Sequence, residues 1–310
     1  MRSYSGAELC ILLLYALPGE TPLRESLFRR LSRAYDVLGA QESRDGELHR
    51  DELLRLGCTA EEADAVLARL SQRNVLGQYL MKLGMQGIEV ITRISPEYPQ
   101  RLRDVLGLHA PLVLFCAGSM ELWQKTCISL VGSRRLRQPG SLFARQAGRA
   151  ISAQGYCYCS GGASGADSIG FSGAMESGGS AVVFLADSLK RHLTDRRYEV
   201  PLSEGRLLLV SEHGPDLEFT TPRAMSRNRL IHAMGEKVLV AQSDYGSGGT
   251  WSGTMENIKA GWSPVFMFSG EPEDPGTRGL MERGAAPVSM DELKQLDTLG
   301  EMQISLFDGS

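Results

Sequence analysis

Cys127-Ile-Ser-Leu-Val131 is a short apolar run that leads directly into Gly132-Ser133-Arg134. The same order recurs downstream, where Ser160-Gly-Gly-Ala-Ser-Gly-Ala-Asp167 ends a second apolar run. In each case a helix-compatible segment follows. This pattern is typical of the strand, tight turn and helix of a nucleotide-type α/β fold, in which backbone N–H groups and a helix N-terminus face an anion.

A third turn of this kind, Gly246-Ser-Gly-Gly-Thr250, follows the apolar run Lys237-Val-Leu-Val-Ala241. Parallel strands place their carboxyl ends at one edge of a sheet, so the three turns should converge on one crevice. We therefore predict a phosphate-binding site at that edge. Its turn residues are Gly132, Ser133, Arg134, Ser160, Gly161, Gly162, Ser164, Gly165, Asp167, Ser247, Gly248, Gly249 and Thr250.

Arginines add positive charge near the same turns. One group has no acidic residue among its members: Arg134, Arg135, Arg137, Arg145 and Arg149. A second group, at a predicted helix start, consists of Arg223, Arg227, Asn228 and Arg229. Planar guanidinium groups suit phosphate, although a solvated basic face is the alternative interpretation. Asp167 is predicted to cap its helix, to order the glycine turn or to meet a ribose hydroxyl.

Predicted strands and helices alternate regularly between Cys127 and Gly270, which favours βαβ units and a parallel sheet. The strands are predicted at 127–131, 156–160, 180–185, 206–210, 237–241 and 264–268, and the helices at 141–154, 167–177, 223–234 and 251–260. Two further strands are predicted earlier, at Ile88–Thr92 and at Ala110–Phe115.

The chain is predicted to have three regions. Residues 1–85 form a helical domain in the style of SAM or helix-hairpin-helix modules, with a buried helix at Leu9–Leu17 and a capping box at Thr59-Ala-Glu-Glu62. Residues 86–270 form the α/β core. Residues 271–310 form a turn-rich tail, with one short helix near Met290–Leu296 and a disordered end.

Composition excludes several functional classes. The formal net charge of −4 means that any nucleic-acid binding depends on a local basic patch. No apolar run reaches the roughly 20 residues that span a bilayer, and the scattered cysteines predict a cytoplasmic protein. Cys157 and Cys159 are expected to pack as small apolar groups under a helix.

No complete catalytic motif is present, and no histidine has a partner at metal-ligand spacing. We therefore expect no enzymatic activity, no metal and no cofactor. His213 and His232 are predicted to lie on the solvated surface, and an acid/base role is the alternative for either.

Residues 90–270 resemble the DNA-processing protein A family, which is also called DprA or Smf. The resemblance adds further segments to the turns quoted above, in the order of the family. These segments are Tyr98-Pro-Gln-Arg-Leu102, Ala110-Pro-Leu-Val-Leu-Phe-Cys-Ala-Gly118, Ser172-Gly-Ala-Met175, Leu208-Leu-Val-Ser-Glu212 and Arg227-Asn-Arg-Leu-Ile231.

This resemblance implies an extended Rossmann-like parallel sheet with a small helical N-terminal domain. It implies a homodimer that binds single-stranded DNA, protects it during natural transformation and helps to load a RecA-type recombinase. By position, Gly132, Ser133, Arg134, the turn 160–165 and Arg227, Asn228 and Arg229 would meet backbone phosphate.

Two positions depart from the family pattern, since Ser164 stands where an arginine is usual and Phe171 where a histidine is usual. The glycine-rich turn at 248–254 supports an alternative, a Rossmann-like sensor or hydrolase of a free nucleotide-derived ligand. A hydrolase of the related LOG type is disfavoured because Glu256 comes one position early and would point differently on a helix.

Overall fold

The computed structural model describes residues 2–24, 26–29, 49–270 and 274–300. Contacts divide the chain into two compact units. The smaller consists of Met1–Tyr98 and Leu108–Leu114, and the larger of Pro99–Gly107 and Phe115–Ser310. The division into three domains with limits at 85 and 270 stays a prediction.

The smaller unit is mainly helical. Its elements are α1 (Gly6–Tyr15), α2 (Arg50–Arg55), α3 (Ala60–Leu70), α4 (Arg73–Met85) and the strand β1 (Glu89–Thr92). Helix α1 confirms the buried helix predicted at its position, because Ile11, Leu12 and Leu13 are buried. The capping box of α3 is also confirmed, since the Thr59 side chain accepts from the Glu62 N–H at 3.2 Å and the Glu62 carboxylate accepts from the Thr59 N–H at 2.9 Å.

The larger unit alternates strands and helices. The elements are α5 (Gln100–Leu106), β2 (Val113–Gly118, which begins in the smaller unit), β3 (Cys127–Val131), α6 (Gln138–Ala153), β4 (Cys157–Ser160), α7 (Ala166–Glu176), β5 (Ser180–Phe184), α8 (Leu189–Leu193), α9 (Arg196–Ser203), β6 (Leu207–Ser211), α10 (Thr221–Met234), β7 (Lys237–Val240), α11 (Gly248–Ala260), β8 (Val265–Phe268), α12 (Pro275–Met281) and β9 (Ala286–Val288). The predicted alternation from Cys127 onward is confirmed, and the short helices α8 and α9 are additional.

The strands of this unit lie in the order β2-β6-β5-β4-β3-β7-β8-β9. Neighbours from β6 to β9 are parallel, which confirms the α/β, Rossmann-like fold. The sheet is mixed, because β2, which precedes the region predicted to be parallel, pairs antiparallel with β6. Strand β2 stands outside the βαβ series, so no crossover helix fixes its direction.

Strand β3 is the point where the strand order reverses. It pairs with β4 on one side, in the register Ser129–Cys159, and with β7 on the other, in the register Ser129–Val238. The chain proceeds from β3 to β4, β5 and β6, and then returns through α10 to β7. In doubly wound sheets the crevice beyond the carboxyl ends at such a switch point is where ligands bind.

The segment after 274 contributes more structure than the sequence predicted. Helix α12 precedes β9, which pairs parallel with β8 in the register Phe266–Ala286, and a 3-10 helix follows at Glu292–Lys294. The strand escaped prediction because it is short and contains Pro287, a residue that sheets accept only at an edge. The predicted disordered end at 301–310 lies outside the described residues.

The interior of the larger unit is mainly apolar, with a few buried polar and charged side chains such as Asp167 and Arg227. Cys157 and Cys159 are fully buried on β4, which confirms that they pack as small apolar groups. Within the described ranges no group of three or more metal-ligating side chains occurs. No helix in those ranges is both long and apolar enough to cross a bilayer.

Candidate functional site

The backbone of Ser133 bonds both to the residues just after β7 and to the start of α7. Its N–H donates to the Gln242 carbonyl at 2.9 Å, just after β7, and its carbonyl accepts from the Ala166 N–H at 3.3 Å, where α7 begins. Gly132 packs closely against the start of α7, since a Cβ at position 132 would lie 2.6 Å from the Cβ of Ala166. The residues after β3, β4 and β7 therefore meet at one place, as the sequence predicted.

Asp167 holds the second turn. Its carboxylate is buried and accepts from the N–H of Gly161 at 3.0 Å and of Ala163 at 3.3 Å. Burial raises the pKa of Asp167, and the nearby Arg227 guanidinium opposes that rise. Of the roles predicted for Asp167, the structure shows the ordering of the glycine turn, and the capping role is wrong because Gly165 is the N-cap residue of α7.

Arg227 lies behind the same turn. Its side chain is 5% exposed, and one guanidinium N–H donates to the Phe184 carbonyl at 2.9 Å. A Cβ on Gly161 would overlap that guanidinium, so a larger residue there would displace the Arg227 side chain. Burial lowers the pKa of Arg227, and the charge of Asp167 opposes the shift. Arg227 thus supports the turn from inside, which differs from the phosphate contact inferred by resemblance.

The third turn opens the N-terminus of α11. Ser247 is the N-cap residue, and Gly248 has a φ of +81°, a left-handed conformation that favours glycine. Asn228, on α10, donates from Nδ2 to the Gly249 carbonyl at 3.1 Å and so fixes α10 to this turn. The first N–H groups of an α-helix have no partner within the helix, and here they adjoin the meeting point of the turns.

A cleft of about 660 Å³ lies beyond these carboxyl ends; we call it the switch-point cleft. Most of the predicted residues line it, namely Gly132, Ser133, Arg134, Asp167, Arg227, Asn228, Ser247, Gly248, Gly249 and Thr250.

The other predicted residues lie around this cleft. Ser160 and Gly162 line a second cavity of about 620 Å³ on the other side of the turn, together with Phe171. Gly165 packs beside the backbone of Arg134, and Ser164 precedes it on the exposed side. Arg229 lies apart, with its guanidinium 2.7 Å from a carboxylate oxygen of Glu212.

The basic patch is smaller than the sequence predicted. Arg145 and Arg149 both pair with Glu176 on α7, and Arg137 pairs with Asp274 at 2.8 Å. These carboxylates are distant in sequence, so the local run without acids concealed the pairing. Arg134 and Arg135 remain as the exposed arginines that line the cleft in the described part of the chain.

Phe219 and His232 also line the cleft, although the sequence did not predict them as site residues. Phe219, in the loop between β6 and α10, lies under the Arg134 guanidinium at 5.4 Å from the ring centroid. His232 was predicted at the surface but is 1% exposed, and its Nδ1 lies 3.2 Å from Nδ2 of Asn257. Burial lowers the pKa of His232 to about 4. The periodicity of α10 places Arg227 and Ile231 inward beside His232, and that signal could have indicated its burial.

Two curated proteins are similar to this chain over about two thirds to three quarters of its length. The chain is 28% identical over 210 residues to the DNA processing protein DprA of Bacillus subtilis, a match that covers 66% of this chain and 69% of the relative. It is 27% identical over 251 residues to the protein Smf of Escherichia coli, covering 77% of this chain and 64% of the relative.

Solved structures show the same fold. DprA of Streptococcus pneumoniae aligns with a TM-score of 0.72 at 20% identity, over 97% of this chain and 99% of that one. DNA processing protein A of Helicobacter pylori, whose structure concerns its single-stranded DNA binding mode, aligns with a TM-score of 0.55 at 23% identity, over 71% of this chain and 96% of that one.

The family model described as DNA recombination-mediator protein A matches residues 89–297, which include all the turns of the switch-point cleft. The chain belongs to this family of DNA-processing proteins.

Proposed function

We propose that the switch-point cleft binds the backbone of single-stranded DNA with little preference for sequence. The observation that carries the proposal is the meeting of the exposed Arg134 and Arg135 with the N-terminus of α11 in one cleft. Guanidinium groups and free helix N–H groups both recognise phosphate. A basic groove of this kind tracks a strand without reading its bases.

The small number of exposed cations sets a quantitative expectation. Arg134 and Arg135 each suit one phosphate, and the α11 N-terminus suits a third. On single-stranded DNA, each neutralised phosphate contributes roughly −0.7 to the slope of log K against log salt concentration. One protomer should therefore show a slope of roughly −2. A broad basic face built from the arginines of α6 as well would give a steeper slope.

A titration of the purified chain against a labelled poly-dT oligonucleotide at several salt concentrations tests this proposal. We expect saturable binding, the slope given above, and little competition from free mononucleotides. A response independent of salt, or equal binding of a mononucleotide and the oligonucleotide, would contradict strand binding in the cleft.

The physiological role that we propose follows from family membership. The chain would protect single-stranded DNA and assist the loading of a RecA-type recombinase as a homodimer. The structure of the Helicobacter pylori relative, which concerns single-stranded DNA binding, supports the first part. RecA filament assembly on DNA that a single-strand-binding protein already covers tests the second, and sedimentation of the chain with and without DNA tests the dimer.

A second candidate function is the sensing of a free nucleotide-derived ligand. The cleft volume of about 660 Å³ favours it, since small-molecule sites commonly enclose roughly 300–1,000 Å³. Hydrolysis has less support, because Glu256 is exposed and lies outside the lining of the cleft. Calorimetry with free nucleotides separates this candidate from strand binding, since a sensor would bind them without an oligonucleotide.

A further inference from the structure

We propose that Phe219 is a stacking platform for one nucleobase at the mouth of the switch-point cleft. The inference rests on the proposed function, and it adds a base contact to a cleft that otherwise recognises phosphate. Phe219 is 44% exposed and lines the cleft. Of the side chains that line it in the described residues, Phe219 is the only exposed aromatic one.

The loop that carries Phe219 is held in place before any ligand arrives. The Pro215 carbonyl accepts from the Ser188 hydroxyl at 2.9 Å, and the Asp216 carboxylate pairs with Lys190 at 2.8 Å. On the other side of Phe219, the Glu218 carbonyl accepts from the Arg223 guanidinium, and the Thr220 hydroxyl accepts from the Arg223 N–H at 3.3 Å. These contacts hold the loop on both sides of Phe219, so the loop presents the Phe219 ring at an exposed position.

The charge beside the ring identifies the kind of ligand. The Arg134 guanidinium lies 5.4 Å from the centroid of the Phe219 ring, so a phosphate donor and an aromatic surface adjoin one another. A nucleotide presents the complementary pair, an anionic phosphate and a flat base. Base–aromatic stacking accepts every base, since each has a π-face, and so it agrees with binding that does not depend on sequence.

An aromatic ring beside a guanidinium would recognise a nucleotide within a strand as well as a free nucleotide. We infer that the nucleotide at Phe219 belongs to a DNA strand. An extended strand places bases along the cleft beside successive phosphates, and an exposed ring at the mouth can meet one of them without enclosing it. A free nucleotide held by the inner turns would have its base further inside.

Phe219→Ala and Phe219→Trp test the proposal in the full chain, with Leu217→Ala as a matched control. Leu217 is 41% exposed on the same loop and does not line the cleft. We expect Phe219→Ala to weaken binding of a poly-dT oligonucleotide by about five- to a hundredfold, the range for loss of one stacked base. The salt slope should stay unchanged, because no phosphate contact is removed.

Phe219→Trp should retain the affinity, and its added indole should lose fluorescence on DNA binding, beyond any change that the three native tryptophans show. With an oligonucleotide of abasic sites, Phe219→Ala and the unsubstituted protein should bind equally. Melting curves of all three variants should match that of the unsubstituted protein, since neither side chain belongs to the core.

The outcomes separate this inference from the proposed function. If the unsubstituted protein binds DNA with the expected salt slope but Phe219→Ala binds equally well, the platform is wrong and strand binding stands. If the unsubstituted protein binds no DNA, both are wrong. Phe219→Ala could also weaken the binding of a mononucleotide as much as that of the oligonucleotide. The ring would then contact the base of a free nucleotide, and the inference that the base belongs to a DNA strand would be wrong.

Discussion

Asp167 and Arg227 hold the same glycine turn from two directions. The carboxylate of Asp167 accepts from two backbone N–H groups of the turn, and the guanidinium of Arg227 fills the space where Gly161 lacks a side chain. Both side chains are buried, and each opposes the pKa shift that burial imposes on the other. The glycine turn beside the switch-point cleft therefore depends on two buried side chains of opposite charge.

Replacing Arg227 should destabilise the fold. In Arg227→Met the buried carboxylate of Asp167 loses a compensating charge and the Phe184 carbonyl loses its donor, so the free energy of unfolding should fall by roughly 1–3 kcal/mol. Urea unfolding measures this loss. The matched control is Arg135→Met, at an exposed arginine of the same cleft, and adding Asp167→Asn to Arg227→Met should restore part of the stability. Unchanged stability with weak DNA binding would instead place Arg227 among the phosphate ligands.

Arg134 should show the opposite behaviour. Its side chain is exposed and contacts the Phe219 ring, so Arg134→Ala should leave the melting temperature nearly unchanged. DNA affinity should fall by roughly 1–3 kcal/mol, as for the loss of a charge-assisted contact. Arg149→Ala, which removes an exposed arginine paired with Glu176, should leave DNA affinity unaffected. Early melting of Arg134→Ala would show that its role is structural.

Ser164→Arg should strengthen DNA binding. Ser164 is exposed, and the next residue packs against the backbone of Arg134, so an arginine here adds a cation beside an existing one. The salt slope should become steeper by roughly 0.7, the contribution of one phosphate on a single strand. Ser164→Gln, of similar length but uncharged, is the control. If free-nucleotide binding collapses while DNA affinity stays the same, the cleft is a small-molecule site.

His232 should make stability depend on pH. Its pKa is about 4 in the fold against an ordinary 6.5, so the unfolded chain binds a proton between these values that the folded chain does not. Stability should therefore decline as the pH falls from 6.5 towards 4. Between pH 7 and pH 5 this difference amounts to about 2 kcal/mol.

Urea unfolding of His232→Asn at both pH values checks this expectation. The variant should lose less stability than the unsubstituted protein on acidification, whatever its stability at pH 7. Equal losses in the two proteins would show that the pKa of His232 is not lowered in the fold.

Much of the larger unit could be predicted from the sequence because its signals are local. The apolar runs at 127–131 and 237–241 end in small residues, and those patterns alone place two turns at one sheet edge. The partners of Arg145 and Arg149 could not be predicted, because Glu176 approaches them only after α6 packs against α7. The position of Phe219 could not be predicted for a similar reason. No residue in its loop, which follows β6, indicates that the loop lies beside Arg134, which follows β3.

The pairing of Arg145 and Arg149 with Glu176 has a consequence for the speed of encounter with DNA. Glu176 offsets one of these two positive charges, and the chain as a whole has a net charge of −4, while Arg134 and Arg135 line the mouth of the cleft. At about 0.01 M ionic strength the Debye length is about 30 Å, so an approaching strand feels the repulsion of the whole body. At about 0.15 M the Debye length is about 8 Å, so the negative charge far from the cleft is screened more strongly than the positive charge at its mouth. The association rate should therefore pass through a maximum at intermediate ionic strength.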